Sequence, residues 1–492
     1  MEVERSHRPT TRPLRDAAAL EPPLRTRRAV TLLLMTLVLP GSAQVTAGNR
    51  RLGRIGLRVW FTLIVLAALL GVAFLLDRPF AIGLFTRSST LLLLIAALVV
   101  LALLWAVLFV DAWRLGAPRL QTGGARRGTA ALSVLLVLLT AGPLLFAAKQ
   151  AAAGRALIST VFGGNTHSSA VGGRYNVLLL GGDAGTDRLG LRPDSMTLVS
   201  IDASSGRTVM FSFPRNMQNV PFPVSSPMHR VFPHGYDCGD SCLLNAVYTY
   251  AATHKGLYPS SVKNPGAQAT MDAVAGITGL KVNYYALIDL KGFQGLINAV
   301  GGITIHVKQR VPIGGETTPI SGYIKPGTQH LSGYRALWYA RSRTGSSDYD
   351  RMARQRCVMT AMLQQLNPET VLLKFNGIAS ASSKVISTTI PEGDLGTFVD
   401  LAIKAKSQKV SSVQFVPPLV IPKHPDFAAI RARVAGAIAT AEKPPAASAS
   451  ATSHSSAGAS TKPSGSSSAR SGAAAGSTAS GAVDAKAVCS AG

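Results

Sequence analysis

Acidic and basic side chains stand where two apolar, strand-like runs of the sequence meet loops. The run at 175–180 is followed by Asp183, and the run at 196–202 is preceded by Arg192 and Asp194. Because open α/β sheets bind ligands beyond the ends of their strands, this pattern delivers two carboxylates to one sheet edge. Carboxylates usually meet a phosphate through Mg²⁺, which bridges charges that would otherwise repel. The alternative is that both aspartates only cap loops.

A third apolar run, at 208–213, ends in Pro214 and Arg215. The proline restricts the backbone, so we expect the planar guanidinium of Arg215 to face whatever occupies the sheet edge. A solvated surface arginine is the usual alternative.

The densest group of charges lies between residues 339 and 356. It contains Arg341, Arg343, Asp348, Asp350, Arg351, Arg354 and Arg356. Arg351, Arg354 and Gln355 are spaced i, i+3 and i+4, which places them on one face of a helix. A solvent-exposed, salt-bridged surface is the common meaning of such a run. This cluster contains no lysine, however, and bidentate arginines match phosphoryl oxygens, so we favour a phosphate site.

The elements that must position these residues follow from the hydrophobic pattern. The runs at 175–180, 196–202 and 208–213 are continuously apolar, which is typical of buried central strands. Helical periods are predicted at 241–253, 265–278, 290–299, 331–341 and 349–366, and further strands at 286–290 and 303–307. This alternation predicts an α/β fold, a three-layer domain over 175–441 with a mixed central sheet covered by helices. Core packing is the default interpretation of 285–302, and an apolar groove for a lipid chain is the alternative.

The bulk composition indicates a membrane protein with an anionic partner. The chain has 492 residues, 47% of them hydrophobic, and a formal net charge of +26. Three runs, at about 55–76, 90–110 and 130–148, approach the roughly 20 residues that a bilayer requires. A shorter run that stops at Pro40 is predicted to form a re-entrant or short segment over 29–47.

Arginine placement predicts the topology of a multi-pass protein of the cell membrane. The basic leader at 1–28 and the loop at 111–129 are both rich in arginine, which assigns them to the cytoplasm. The domain after residue 150 is then expected outside the cytoplasm, joined by a linker at 150–174. The Ala/Ser-rich tail at 442–492 cannot bury a core and is predicted to be disordered.

Five ordered stretches resemble the LytR-CpsA-Psr family of cell-wall glycopolymer ligases. They are NVLLLGGD, RPDSMTLVSID, SFPRN, VNYYALIDLKGFQGLINAVGGI and GYRALWYARSR followed by DYDRMARQ, and they cover about residues 175–370. The resemblance implies a phosphotransferase that moves a glycopolymer phosphate of the teichoic acid, capsule or arabinogalactan type. The donor would be a polyprenyl-pyrophosphate carrier in the membrane lipid, and the acceptor would be peptidoglycan.

The resemblance also implies roles for individual residues. Asp183 and Asp194 match the positions that hold Mg²⁺, with Mn²⁺ as an alternative. Pyrophosphate would be bound by Arg192, Arg215, Arg341, Arg343, Arg351 and Gln355. The catalytic set would be Arg215, Arg341, Arg343, Asp348 and Arg351. An apolar channel for the prenyl chain would include Phe293, Leu296 and Ile297.

Two positions depart from the family pattern. The usual Pro-Arg-Asp ends in Asn216 here, so this side chain cannot act as a base or carry charge. A basic residue common in the family is replaced by Leu243, and Arg230 is the candidate to replace that charge.

Four cysteines are too few for a disulfide scaffold, and they lack metal-site spacing. In an oxidising compartment Cys238 and Cys242 could form a small-loop disulfide, and Cys357 with Cys489 is a weaker candidate pair.

Two other classes of function compete with catalysis. A nucleic-acid-binding regulator would explain the positive charge, but the predicted topology places the basic domain on the wrong side of the membrane. A non-catalytic, membrane-anchored binder of anionic lipid-linked polymer is the remaining alternative. The paired aspartates favour the enzyme, because pure anion binding gains nothing from additional carboxylates.

Overall fold

The structure is a computed structural model that describes residues 20–162, 168–183, 192–315, 318–367, 370–371, 386–443, 482–485 and 489. The chain divides into two compact units. One, here called the helical unit, comprises Met1–Gly163 and Pro391–Asp400. The other, here called the sheet unit, comprises Gly164–Ile390 and Leu401–Gly492.

The N-terminal part of the helical unit consists of helices. They are α1 (Pro22–Val38), α2 (Ser42–Ala47), α3 (Arg50–Leu76), α4 (Arg78–Thr86), α5 (Ser88–Leu115) and α6 (Gly123–Val161). In the described part of the chain, three helical stretches are long and apolar enough to cross a membrane, namely Arg50–Leu76, Ser88–Leu120 and Gly123–Ala156. These stretches contain the three predicted spans, and they indicate membrane anchoring.

Two details of this unit refine the predictions. The short segment at 29–47 is a helix–turn–helix, in which α1 ends before a turn at Gly41 with a φ of 95°, a conformation that glycine adopts without strain. The predicted linker at 150–174 is wrong in its first part, because α6 continues to Val161. Alanine has a high intrinsic helix propensity, so this alanine-rich segment continues the helix although its low sequence complexity suggested a loop.

The sheet unit is built on a mixed β-sheet. The strands are β1 (Arg174–Asp183), β2 (Arg192–Asp202), β3 (Thr208–Phe213), β4 (Tyr284–Asp289), β5 (Ile303–Val307), β6 (Val311–Gly315), β7 (Thr318–Ile324), β8 (Gly327–Leu331), β9 (Ile386–Thr388), β10 (Val410–Gln414) and β11 (Val483–Asp484). Among the described residues, seven strands form one sheet in the order β11-β10-β3-β2-β1-β4-β9. The pairs β1–β4 and β3–β10 are parallel and the other neighbours are antiparallel.

Helices follow on both faces of this sheet. They are α7 (Pro227–Val231), α8 (Leu244–Thr253), α9 (Pro265–Thr278), α10 (Leu290–Ala299), α11 (Gly333–Arg341), α12 (Asp348–Gln365), α13 (Leu395–Lys406) and α14 (Phe427–Glu442). Leu198 and Phe211 pack with α8, α9 and α14 on one face. Val199 and Met210 pack on the other face with Met359 of α12. Burial of both faces explains the uninterrupted apolar runs and confirms the predicted α/β class.

The expected disordered tail at 442–492 lies largely outside the described residues. Its described end does not fit that expectation, since β11 pairs with β10 and Cys489 is bonded to Cys357 of α12. These few residues are held in place by backbone pairing and by a disulfide bond. Their composition provides few apolar side chains to bury. Cys238 and Cys242 are also joined.

Candidate active site

Asp194 occupies an irregularity in the pairing of β1 with β2. Gly181 lies opposite Ser195 and Gly182 lies opposite Pro193, so no residue of β1 is paired with Asp194. A bulge of this kind redirects a side chain that regular pleating would aim elsewhere. The Asp194 carboxylate consequently reaches arginines from two other elements.

Arg215 and Arg343 bind the two carboxylate oxygens of Asp194. Arg215, directly after β3 and Pro214, donates from Nη1 to Asp194 Oδ1 at 2.9 Å. Arg343, just beyond α11, places Nη2 3.5 Å from Asp194 Oδ2. These three side chains are 26–29% exposed, so they form a partly desolvated cluster at a surface opening.

Asp348, the first residue of α12, joins the same cluster. Its carboxylate lies 3.8 Å from Arg215 Nε, 3.4 Å from Arg343 Nε and 3.0 Å from Arg351 Nη2. A capping box between Ser347 and Asp350 begins α12 and fixes the position of this first turn.

Arg351 is the buried member of the cluster, with a side chain 3% exposed. Burial lowers the pKa of Arg351 to about 10, and the Asp348 carboxylate opposes that shift. The guanidinium therefore remains charged at neutral pH. Among the described residues, Arg351 Nε is buried without a hydrogen-bond partner.

A cavity of about 420 Å³ opens beside this cluster. Its polar lining includes Asp194, Arg341, Arg343, Arg351 and Gln355. The rest of its wall is largely apolar, including Phe293, Leu296, Leu337, Met359 and Met362. A cluster of cationic side chains is thus continuous with a largely apolar space inside one cavity.

Of the remaining residues predicted to bind pyrophosphate, some line the cavity and one does not. Arg341 is exposed at the end of α11 and lines the cavity, as does Gln355, whose Nε2 donates to the Ala340 carbonyl at 3.2 Å. Arg192 is exposed at the start of β2 and is not part of the cavity wall. Arg230 is likewise exposed and outside the wall.

Of the three residues predicted to contact the lipid chain, two line the cavity and one does not. Phe293 and Leu296 line the cavity, but Ile297 is fully buried in the core formed by α10, α11, α12 and β5 to β8. Ile297 is therefore wrong as a lipid contact, because its face of α10 turns into that core. Sequence reasoning missed Met359 and Met362, whose i, i+3 spacing on the arginine-bearing helix was the available signal.

The metal assignment is compatible with the residues present. Among the described residues, no group of three or more His, Cys, Asp or Glu side chains could hold a metal ion. Asp183 ends β1 opposite Arg192, and its side chain lies outside the described part of the structure. Mg²⁺ is commonly bound by one or two carboxylates together with substrate phosphates, so Asp194 beside a phosphate site fits this ion.

Comparison with known proteins identifies the family. The model of the LytR_cpsA_psr family matches residues 147–418. The chain belongs to the LytR_cpsA_psr family. This match confirms the resemblance carried by the five sequence stretches, and it places the whole arginine cluster within the LytR_cpsA_psr region.

The curated relatives share modest sequence identity with this chain. TagV of Bacillus subtilis (strain 168), named a polyisoprenyl-teichoic acid–peptidoglycan teichoic acid transferase, is 28% identical over 207 residues, covering 40% of this chain and 45% of TagV. The cell wall biosynthesis protein LcpA of Corynebacterium glutamicum is 28% identical over 248 residues, covering 46% of each chain. This chain thus spans about half the length of the curated relatives it matches.

Among solved structures, the chain is similar to the crystal structure of B. subtilis TagV. It aligns with a TM-score of 0.39 and 22% identity, covering 55% of this chain and 96% of that chain. TagT bound to LI-WTA aligns with a TM-score of 0.39 and 20% identity, covering 55% and 92%.

Proposed function

We propose that this chain transfers a glycopolymer phosphate from a polyprenyl-pyrophosphate carrier to peptidoglycan. The observation that carries the proposal is the cavity whose arginine-rich end continues into an apolar space. A ligand that combines a diphosphate with a long hydrocarbon chain matches both ends. The names of the relatives, which include teichoic acid transferases, support the same reaction class.

The proposed reaction is an in-line displacement at phosphorus. An acceptor hydroxyl oxygen forms a bond to the glycan-bearing phosphorus, while the bridging P–O bond to the carrier phosphate breaks. The prenyl monophosphate departs, and the hydroxyl proton passes to solvent. Arg215, Arg343 and Arg351 would bind the diphosphate oxygens and stabilise the charge that develops on them.

Mg²⁺ belongs to the proposal as well. When bound, it would neutralise charge on the phosphoryl oxygens. Asp194, with Asp183 as the second candidate, would hold it. Arg215 and Arg343 already contact the Asp194 carboxylate, so they would orient this ligand.

The proposed location is a multi-pass position in the cell membrane, with the sheet unit outside the cytoplasm. Arg114 and Arg119 lie at the end of the second apolar stretch, and Arg126 and Arg127 lie near the start of the third, which favours a cytoplasmic position for this connection. The third helix then leads outward to the catalytic domain.

Turnover by the purified full-length chain tests the proposal. With a prenyl-pyrophosphate-linked disaccharide and peptidoglycan fragments, we expect Arg215→Ala to reduce prenyl monophosphate release about 10³-fold and Asp194→Ala to reduce it at least about 10²-fold. Arg310→Ala, at an exposed arginine that neither lines the cavity nor is among the arginines paired with Asp194 and Asp348, is the matched control and should retain activity. Binding of the donor without any release by the wild-type chain would support the non-catalytic binder instead.

A further inference from the structure

A stripe of side chains on α11 leads to the mouth of the cavity. Tyr334, Trp338 and Arg341 are spaced i, i+4 and i+7 and therefore share one face of the helix. The ring centroids of Tyr334 and Trp338 are 6.4 Å apart at an interplanar angle of 70°. The Arg341 guanidinium carbon lies 5.2 Å from the centre of the Trp338 ring, and Arg341 also lines the cavity. One end of the stripe therefore reaches the proposed diphosphate site.

The other end of the stripe is open to solvent. Tyr334 is 48% exposed, whereas Trp338 is half-buried and packs against the core beneath α11. Aromatic rings held on a rigid helix present electron-rich faces, and the C–H groups of a pyranose ring pack favourably on such faces. Interaction with the indole also limits the motion of the Arg341 side chain at the cavity mouth.

The direction of the stripe matches the geometry of a lipid-linked sugar. Under the proposed function, the prenyl chain fills the apolar end of the cavity, so the glycan has to leave at the polar end, where Arg341 lies. From Tyr334 to Arg341 the helix rises about 10 Å, which is sufficient to hold the sugar next to the diphosphate.

We propose that Tyr334 and Trp338 form a subsite for the first pyranose of the donor glycan. The inference rests on the proposed function and adds the residues that recognise the sugar. The acceptor glycan is the other source of a pyranose. The donor is favoured because Arg341 joins the indole to the diphosphate site, and the donor's first sugar is covalently attached to that diphosphate.

Two probes that differ only in the sugar test the subsite. They are geranylgeranyl pyrophosphate and the same lipid with N-acetylglucosamine on the terminal phosphate, titrated into the full-length chain in detergent. We expect Tyr334→Ala and Trp338→Ala each to weaken binding of the sugar-bearing probe about three- to tenfold. Binding of the plain probe should change by less than about twofold, and Trp338→Phe should retain most of the sugar-dependent affinity.

The matched control is Tyr323→Ala. Tyr323 is 43% exposed and, like Trp338, lies under an arginine, with the Arg310 guanidinium carbon 4.8 Å from its ring centre. Unlike Arg341, however, Arg310 does not line the cavity. Replacement of Tyr323 should leave the binding of both probes unchanged. Because Tyr334 is exposed, Tyr334→Ala keeps the test decisive even where Trp338→Ala disturbs folding.

Three outcomes would overturn the subsite. They are unchanged binding of the sugar-bearing probe, an equal loss for both probes, and a loss seen only with a peptidoglycan fragment, which would assign the stripe to the acceptor. A wild-type chain that fails to bind even the plain probe would overturn the proposed function itself, so the two failures are distinguishable.

Discussion

The charged groups at the cavity alternate in sign and form no purely cationic patch. Asp194 contacts Arg215 and Arg343, and Asp348 contacts both of these and Arg351. Each carboxylate orients guanidinium groups before a substrate arrives, which is the preorganisation that charge stabilisation requires. The same carboxylates compete with phosphate oxygens for those donors.

Asp348→Asn separates these two effects. Removing the negative charge should tighten binding of inorganic pyrophosphate about threefold, while disordered arginines slow turnover about tenfold. Isothermal titration calorimetry and the release assay measure the two quantities. Asp240→Asn, at an acid whose side chain is 86% exposed, serves as the control. Weaker pyrophosphate binding by Asp348→Asn would contradict the competition argument.

Arg351→Met tests the structural role of the buried guanidinium. The substitution leaves Asp348 without its closest cation, and we expect a loss on the order of 2 kcal/mol, below that of a fully buried pair because Asp348 is 29% exposed. The thermal unfolding midpoint should fall by about 4–8 °C. Arg351→Lys should recover part of this loss, since it restores the charge but not the planar geometry. An unchanged midpoint would show that the pair contributes nothing to folding.

At the scale of elements, the sequence pattern predicted those strands and helices whose bounds depend on neighbouring residues. β3, β5, α9 and α10 have the predicted bounds, because their apolar periods are strong and their ends carry clear turn or capping signals. The hairpin of β6 and β7 was not predicted, because β6 contains a proline and two glycines and most of β7 is exposed. The β10 strand was not predicted, because its pairing depends on a distant partner. The arginine cluster was predicted from spacing, whereas Ile297 failed because tertiary packing decides which face of α10 meets the core.

The capping box of α12 is expected to stabilise this arginine-bearing helix in a pH-dependent way. The Ser347 side chain and backbone hold the pKa of Asp350 below its usual value of 3.8, chiefly through the side-chain hydrogen bond. Because the folded state favours the ionised carboxylate, this contribution is present above that pH and disappears as the pH falls through the folded-state pKa. Ser347→Ala should therefore lower stability by about 1 kcal/mol at pH 7.

Thermal unfolding at neutral and acidic pH measures the effect. The difference between wild type and Ser347→Ala should narrow below the usual aspartate pKa. Ser332→Ala is the matched control, because Ser332 precedes α11 without making a side-chain capping hydrogen bond. Equal losses from the two serine substitutions would exclude capping as the cause.

At the scale of the whole molecule, distant segments complete the sheet unit. Thr208 in β3 pairs with Val410 in β10, and Ser411 in β10 pairs with Asp484 in β11. The Cys357–Cys489 disulfide fastens the end of this assembly to α12, the helix that supplies Arg351.

The two disulfides should contribute unequally to stability. Cys357–Cys489 joins positions 132 residues apart and Cys238–Cys242 positions 4 apart. Loop-closure entropy predicts about 5 kcal/mol for the long loop and about 2 kcal/mol for the short one. The double serine variant of the long pair should therefore have the lower unfolding midpoint. A larger loss from the short pair would contradict the entropic account.

The strand order has a consequence for how the domain is made. β3 is central in the sheet, yet its partner β10 is synthesised about 200 residues later, counting from Thr208 to Val410. Until then one long apolar edge lacks its neighbour, and such unpaired edges recruit other chains. A nascent chain of this protein should therefore need protection by chaperones until β10 has been made, and truncations before β10 should aggregate instead of yielding a smaller folded domain.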